Sequence, residues 1–376
     1  MNFDYNEEQR LLAESVRRFV AQDYAFEARR RIVESAEGYS PAIWRTMADL
    51  GLLMLPIPAA NGGFGGGAVD MMSTMEAIGE ALVVEPYLST VGLGTRIIVQ
   101  AGTDAQQADL LPAIAEGRLI VAFAHTERSG RHDLAHVTLA ARRAGDGYVL
   151  EGEKKVVLHA PAAGKLIVTA RTSGATGEAR GVSLFLVDAS AAGIGMTRYR
   201  TLDEVRAADV VFRNVAVPAA ALLGPLDAGL EIAEEAVDFA TALVCAEAVG
   251  AMKSANEATL DYLKTRKQFG VPIGAFQALQ HRMVDMTISA EQARSMASLA
   301  CARVDARPAA DERRRVVSAA KARIAQACRH VSQESVQLHG GMGMSEELKV
   351  SHTFRRLTMI AQQFGDADHH LERFAR

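Results

Sequence analysis

The chain has 376 residues, of which 49% are hydrophobic and 23% are charged, and its formal net charge is -4. This length can bury a large core in two or three domains, and the composition excludes a disordered protein. Because lysine and arginine are spread along the whole chain, no concentrated basic surface for a nucleic acid is expected.

The first helix is predicted to begin after Asn6, because Asn6 and Gln9 have the spacing of a capping box. Leu12, Val16 and Phe19 then recur at helical steps, and further helical patterns reach residue 118. The amino terminus is acidic and polar, unlike a secretory signal, and no apolar run approaches the ~18 residues that cross a bilayer. We therefore expect a cytoplasmic protein without membrane insertion, in which the three cysteines are reduced.

The middle third consists of short apolar runs separated by turns, which is typical of strands. The runs are 120–123, 148–150, 166–168, 182–187 and 210–212. Gly145-Asp146-Gly147 is placed as a hairpin turn before one of them. This block is predicted to be a small β-domain.

After Pro225 the helical period returns and continues to the end of the chain, with long patterns at 229–266, 277–304 and 309–339. The predicted fold class is therefore α+β. An N-terminal helical domain (1–118) and a middle β-domain (119–225) precede a C-terminal four-helix bundle (226–376).

Two motifs in the last third carry a family resemblance. The first reads Tyr262-Leu-Lys-Thr-Arg266-Lys-Gln268-Phe269-Gly270-Val-Pro272-Ile273-Gly-Ala-Phe276-Gln277, and the second reads Gln337-Leu-His-Gly340-Gly341-Met-Gly343. Together they resemble the acyl-CoA dehydrogenase family, and stretches in the same order agree with it at 61–67, 126–127, 210–218 and 222–224. The resemblance spans nearly the whole chain and implies the fold predicted above.

The resemblance implies that both motifs hold the diphosphate and adenosine of FAD, bound mainly to a neighbouring subunit. Arg266 can fork onto a diphosphate, Phe269 offers a ring face, and the two glycines let backbone amides approach an anion. The residues expected to bind this part of FAD are Arg266, Gln268, Phe269, Ile273, Phe276, Gln337, Gly340 and Gly341.

The family signature that contacts the flavin ring is altered. At Thr126-Glu127-Arg128, arginine replaces the family's proline, and His132 replaces the serine that meets the diphosphate. Where the family has Trp-Ile-Thr or Trp-Ile-Ser, this chain ends the segment at Leu158 without an aromatic residue or a hydroxyl. Thr126, His132 and Leu158 are still the positions expected beside the flavin. The histidines show no metal-ligand spacing, so no metal is predicted.

The catalytic base of the family is absent at its usual place. Counting from Arg356, the family's glutamate falls on Gly365, and the family's alternative base falls on Ala240. The carboxylates that could substitute are Asp366, Asp368 and Glu247. Of these, Asp366 is the candidate base, and the backbone N–H of Gly365 is expected to bind the thioester carbonyl.

Two hypotheses remain. The first is an FAD-dependent acyl-CoA dehydrogenase that desaturates an acyl-CoA thioester and passes electrons to an electron-transfer flavoprotein or similar acceptor. Its carboxyl-terminal segment resembles the small subunits of bacterial heteromeric enzymes, so the chain is expected in a homo-oligomer or in a hetero-oligomer with a Glu-bearing paralogue. The alternative is a catalytically inactive scaffold or regulatory relative that keeps the fold.

Overall fold

The computed structural model describes residues 6–376, and in this part of the chain helices, strands and again helices follow one another as predicted. The helices are α1 Glu7–Asp23, α2 Phe26–Glu34, α3 Pro41–Asp49, α4 Ala68–Ala81, α5 Thr95–Ala101, α6 Asp104–Ala115, α7 Gly229–Thr265, α8 Gln277–Asp305, α9 Ala310–His339, α10 Lys349–Gln362 and α11 Ala367–Ala375. A π-helix, Leu88–Gly94, leads directly into α5. The strands are β1 Val121–Ala124, β2 Ala140–Ala144, β3 Gly147–Leu158, β4 Lys165–Arg171, β5 Val182–Asp188, β6 Ile194–Arg200, β7 Arg206–Pro218, β8 Leu222–Leu223, β9 Lys267–Gln268 and β10 Val271–Pro272.

The chain forms two compact units. The helical unit contains the amino-terminal segment as far as Arg31 together with residues 67–83 and 241–376. The sheet unit contains residues 32–66 and 84–240.

In the helical unit, α9 is the central helix and packs against α8, α10 and α11. The predicted capping box at Asn6 and Gln9 is confirmed at the start of α1. α4 and α7 approach each other so closely that a Cβ atom added to Gly79 would lie 1.9 Å from the carbonyl oxygen of Glu247. One added to Gly250 would lie 1.8 Å from the carbonyl oxygen of Glu76, so glycine is required on both helices.

The sheet unit is built on one sheet with the strand order β6-β7-β3-β2-β4-β5-β8, and β1 pairs in parallel with β4. The predicted hairpin is confirmed, because β2 and β3 pair from Ala144 and Gly147 outward and Gly145 has a φ of +56°. The buried core of the sheet unit includes Leu150, Phe185 and Phe212.

None of the helices between residues 6 and 376 is long and apolar enough to cross a membrane. Cys245, Cys301 and Cys328 are buried free thiols in the helical unit. Burial raises the pKa of the Cys245 thiol to about 12, so this thiol is protonated at neutral pH.

Candidate functional site

The first nucleotide motif forms a hairpin directly after α7. β9 and β10 pair antiparallel around Phe269 and Gly270, whose φ angles are +53° and +82°. Two consecutive residues with positive φ fit the tight turn that joins short strands. The N–H of Ile273 donates to the carbonyl of Arg266 at 2.8 Å and closes the base of the hairpin.

This hairpin presents an aromatic side chain to solvent. The Phe269 side chain is 92% exposed, and its ring meets that of Phe276 edge-on, with centroids 6.1 Å apart. Arg266 is also exposed, and within residues 6–376 its guanidinium has no carboxylate partner. An exposed aromatic ring beside an exposed guanidinium offers the stacking face and the charge that a nucleotide diphosphate requires.

The second motif lies beside the first within the helical unit. The rings of Tyr262 and His339 are stacked with centroids 4.5 Å apart, and the hydroxyls of Thr259 and Ser335 are hydrogen-bonded at 2.8 Å. The ends of α7 and α9 are therefore adjacent, and the structure brings the two motifs together.

Gly340 and Gly341 follow the end of α9, and Gln337 is exposed one turn earlier. Gly340 has a φ of +62°, and a Cβ atom added to either glycine would meet nothing within 4 Å. At Gly341 neither packing nor a positive φ requires glycine. Open space around two glycines at a helix end suits the close approach of a phosphate to backbone amides.

In the sheet unit, the segment 126–139 is anchored by a buried ion pair. Lys154 Nζ donates to Glu127 Oε1 at 2.7 Å, to Thr169 Oγ1 at 2.9 Å and to the carbonyl of His125 at 3.2 Å. The other oxygen of Glu127 accepts from the N–H of Thr138 at 2.8 Å. Burial lowers the pKa of Lys154 to about 8. Burial alone would raise the pKa of Glu127, but the charge of Lys154 and the hydrogen bonds outweigh it, so its pKa is lowered.

Lys154 was not among the residues predicted from the sequence. No sequence signal singles it out, because β3 also carries Glu151, Glu153 and Lys155, and only the strand register makes Lys154 the buried charge that requires a partner.

Thr126 lies next to the end of β3, because its carbonyl accepts from the N–H of Lys155 at 2.7 Å. A bulge follows at Val156, which has a φ of +51° and donates its N–H to Asp209 at 3.2 Å. Leu158 packs against a cluster of Val33, Val84 and Val205. The leucine that replaces the family's hydroxyl therefore extends a hydrophobic contact. His132 is half-buried in the anchored segment.

The turn after α10, where the base was expected, has an unusual backbone. Phe364 has a φ of +60° and Gly365 a φ of +122°. Two buried side chains hold it: Lys321 Nζ donates to the carbonyl of Gly365 at 2.7 Å, and His370 Nε2 donates to that of Phe364 at 3.1 Å. A Cβ atom at position 365 would lie 2.5 Å from the ring of His369, so any side chain there would have to displace that ring and adopt a strained φ.

The remaining candidates near the turn have structural contacts. Asp366 caps α11, accepting the N–H of His369 at 2.9 Å, and Asp368 is exposed in the first turn of that helix. The N–H of Gly365 donates to the carbonyl of Gln362 at 3.2 Å. To accept from this amide, a thioester carbonyl would have to displace the hydrogen bond to Gln362. That the N–H of Gly365 binds the thioester carbonyl therefore stays a prediction.

The carboxylate on α7 is paired. Glu247 is 2% exposed and receives two hydrogen bonds from Arg356, at 2.6 and 2.8 Å. This bidentate pair occupies both oxygens of the carboxylate, which opposes a role as base. Ala240 is fully buried and offers no alternative.

Three models of the acyl-CoA dehydrogenase domains match the chain: the N-terminal domain over residues 6–118, the middle domain over 122–215 and the C-terminal domain over 227–376. The chain belongs to the acyl-CoA dehydrogenase family. Membership agrees with the α+β architecture described above and makes the protein a relative of flavoprotein oxidoreductases that act on acyl-CoA thioesters.

Three similar proteins match this chain over almost its whole length. Probable acyl-CoA dehydrogenase YngJ of Bacillus subtilis is 30% identical over 379 residues, which is 99% of this chain and 98% of that protein. The ChsE4-ChsE5 complex from Mycobacterium tuberculosis contains a chain with a TM-score of 0.91 and 26% identity, covering 100% of this chain and 98% of that one. The FAD complex of PigA gives the same TM-score and identity, covering 100% of this chain and 98% of that one.

Proposed function

We propose that this chain is one subunit of a heteromeric FAD-dependent acyl-CoA dehydrogenase that desaturates an acyl-CoA thioester between its α and β carbons. The observation that carries the proposal is a contrast within one unit. The exposed Arg266 and Phe269 adjoin the open glycines at 340 and 341, whereas the crowded, positive-φ turn at Gly365 opposes any side chain that could act as base.

Binding of the diphosphate and adenosine of FAD is proposed from the charge and the shape of this surface. Arg266 would donate a pair of hydrogen bonds to the diphosphate, Phe269 would stack on the adenosine, and the amides at Gly340 and Gly341 would face the anion. Gln268, Ile273, Phe276 and Gln337 would complete this surface. When bound, FAD supplies the acceptor for the hydride that leaves the β carbon, and an electron-transfer flavoprotein or similar acceptor would reoxidise it.

The proton at the α carbon is weakly acidic and requires a poised carboxylate. In this chain Glu247 is paired with Arg356, Asp366 caps a helix, and Asp368 is exposed. We therefore infer that the working flavin is seated mostly in a Glu-bearing paralogue, which supplies the base. The similarity to the ChsE4-ChsE5 complex, which contains two named components, supports a mixed assembly.

The altered ring segment supports the same inference. Thr126 retains its place beside β3, but His132 and Leu158 do not restore the hydroxyls of the family. A lost hydrogen bond to the flavin weakens binding by about 1 kcal/mol.

The second candidate function is a non-enzymatic scaffold that keeps the fold, which the lost base also favours. The pairing of the exposed Phe269 ring with the exposed charge of Arg266 favours the flavoprotein, because a nucleotide diphosphate requires both features whereas a protein interface requires no cation next to the ring.

The test measures the flavin content of the complex after co-expression with the Glu-bearing paralogue. Arg266→Ala should lower the affinity of the complex for flavin about 10- to 100-fold, which is the contribution of a charge-assisted pair of hydrogen bonds. Arg18→Ala on the exposed face of α1 removes the same charge and should leave flavin bound. Equal flavin in both variants would remove the nucleotide assignment, and a colourless complex in the unmodified protein would favour the scaffold.

A further inference from the structure

Beside the end of β3, Ser89 and His159 form a pair that the proposed desaturation does not use. Ser89 Oγ lies 2.7 Å from Nδ1 of His159, and Nε2 of the same ring lies 3.1 Å from the carbonyl oxygen of Val84. Because a carbonyl oxygen only accepts, Nε2 carries the proton. In the neutral ring Nδ1 is then an acceptor, and the hydroxyl of Ser89 donates to it.

This polarity fixes what Ser89 can offer to a ligand. Ser89 donates its hydroxyl proton to His159, so toward a ligand the hydroxyl oxygen acts as a hydrogen-bond acceptor. Ser89 is half-buried rather than enclosed, whereas His159 is 9% exposed. The hydroxyl oxygen of Ser89 is therefore an acceptor whose orientation is set by the imidazole of His159, which is itself held by the backbone carbonyl of Val84.

The local backbone is unusual on both sides of the pair. His159 has a φ of +59°, a conformation that non-glycine residues rarely adopt, and its N–H donates to the carbonyl of Arg206 at 2.8 Å. Ser89 lies in the first turn of the π-helix Leu88–Gly94. Left-handed residues and π-helices are both enriched at ligand sites.

The pair adjoins the segment proposed to face the flavin ring. His159 directly follows Leu158, and Thr126 is tied to the same strand end through Lys155. We take a thioester bound in this chain to lie along the same segment without a working flavin, so groups beside the segment are within reach of its acyl chain.

We propose that Ser89 and His159 form a subsite that accepts a hydrogen bond from a hydroxyl group on the acyl chain of a CoA thioester. The inference rests on the proposed function in taking an acyl-CoA thioester as the ligand, and it adds the substrate class, a hydroxylated acyl group. It requires binding but no turnover in this chain.

The experiment measures dissociation constants in the co-purified complex by calorimetry. The probes are ω-hydroxyacyl-CoA thioesters of increasing length, each matched to the isosteric alkanoyl-CoA in which methyl replaces hydroxyl and to an oxo analogue, a methyl ketone, which lacks a donor. At the length that reaches Ser89, the hydroxylated probe should bind about tenfold tighter than either match, as one satisfied hydrogen bond implies.

Three variants separate a subsite from a structural tie. Ser89→Ala should abolish the preference, and Ser89→Thr should retain it. His159→Gly keeps a residue that tolerates positive φ but removes the acceptor of the serine proton, so binding of the oxo analogue should approach that of the hydroxylated probe. A merely structural pair would lower stability in these variants without changing the ratio of dissociation constants.

Absence of a hydroxyl preference at every length, in a complex that holds flavin and binds alkanoyl-CoA, overturns the subsite and leaves the proposed function standing. A complex that binds none of the thioesters overturns both.

Discussion

Gly365 has a φ of +122°, and the rings of His369 and His370 fill the space in front of its α-carbon. The backbone of this turn therefore requires glycine. Lys321 and His370 hold the turn through hydrogen bonds to the carbonyls of Gly365 and Phe364. The absence of a glutamate at position 365 and the backbone conformation that requires glycine there have the same local cause. Replacing the glycine alone cannot return a glutamate to a working position.

Gly365→Ala is expected to destabilise the protein by about 2–4 kcal/mol, since backbone strain and overpacking each cost about 1–3 kcal/mol. Gly145→Ala is the control, because it shares a positive φ but meets nothing within 4 Å and should cost about 1 kcal/mol. Urea unfolding measures both changes. In a complex whose paralogue has its catalytic glutamate replaced by glutamine, Gly365→Glu should fold poorly and restore no flavin bleaching by acyl-CoA, and bleaching there would show that the turn accepts a base.

His370 links this turn to pH. Burial is the largest cause that lowers its pKa, to about 2, and the nearby charge of Lys321 adds to it. The unfolded chain binds a proton near pH 6.5, so the stabilising effect of the neutral ring is complete above pH 6.5 and is lost as pH falls toward 2. Burial likewise lowers the pKa of His125, to about 3, so both histidines act in the same direction.

His370→Gln should therefore reduce the acid sensitivity of the fold. Between pH 7 and pH 5 the unmodified protein should lose about 2 kcal/mol more than the variant, because one titrating group contributes about 1.4 kcal/mol per pH unit. Unfolding free energies at the two pH values test this. Exposed His281→Gln is the matched control. A pH dependence that is the same in all three proteins would refute the assignment to His370.

Among the elements, the segment 126–139 owes its conformation to a charge pair buried in the sheet unit. Glu127 accepts hydrogen bonds from Thr138 and Leu139, while Lys154 ties it to the strand core. At the far end, Arg171 donates to the carbonyls of Ala135 and Val137. Both ends of the segment are fixed before any ligand is bound.

Glu127→Gln should cost about 3–5 kcal/mol, because it leaves the ammonium of Lys154 buried without its counter-charge. The double variant with Lys154→Met should cost less than the sum of the single changes. Hydrogen exchange over residues 128–138 should rise most in Glu127→Gln. Additive costs, or unchanged exchange in this segment, would show that the pair does not anchor it.

Periodicity predicted the long helices to within a residue or two, since each buries one apolar face. β2 and β6 were missed because Ala140–Ala144 and Ile194–Arg200 carry arginines and lie partly exposed, so neither forms an apolar run. The two motifs expected to bind the nucleotide could be named from the sequence because each lies in consecutive residues. Lys154 and Lys321 were missed because their partners are set by strand register and helix packing, which one sequence does not fix.

For the whole molecule, the proposal divides one reaction between two chains. The helical unit of this chain offers a nucleotide surface at Arg266 and Phe269, which would complete a flavin site in a paralogue. In the same unit, the carboxylates at Glu247 and Asp366 have structural partners. Activity should then depend on the base of the paralogue and not on any carboxylate of this chain.

The purified chain alone should hold little flavin and turn over acyl-CoA at a small fraction of the rate of the complex. In the complex, Asp366→Asn should leave flavin bleaching by acyl-CoA unchanged, because asparagine caps α11 as well as aspartate does. Replacing the catalytic glutamate of the paralogue with glutamine should abolish it, since the proton acceptor is lost. Robust turnover by this chain as a homo-oligomer, together with loss of bleaching in Asp366→Asn, would instead make Asp366 the base and this chain a self-sufficient enzyme.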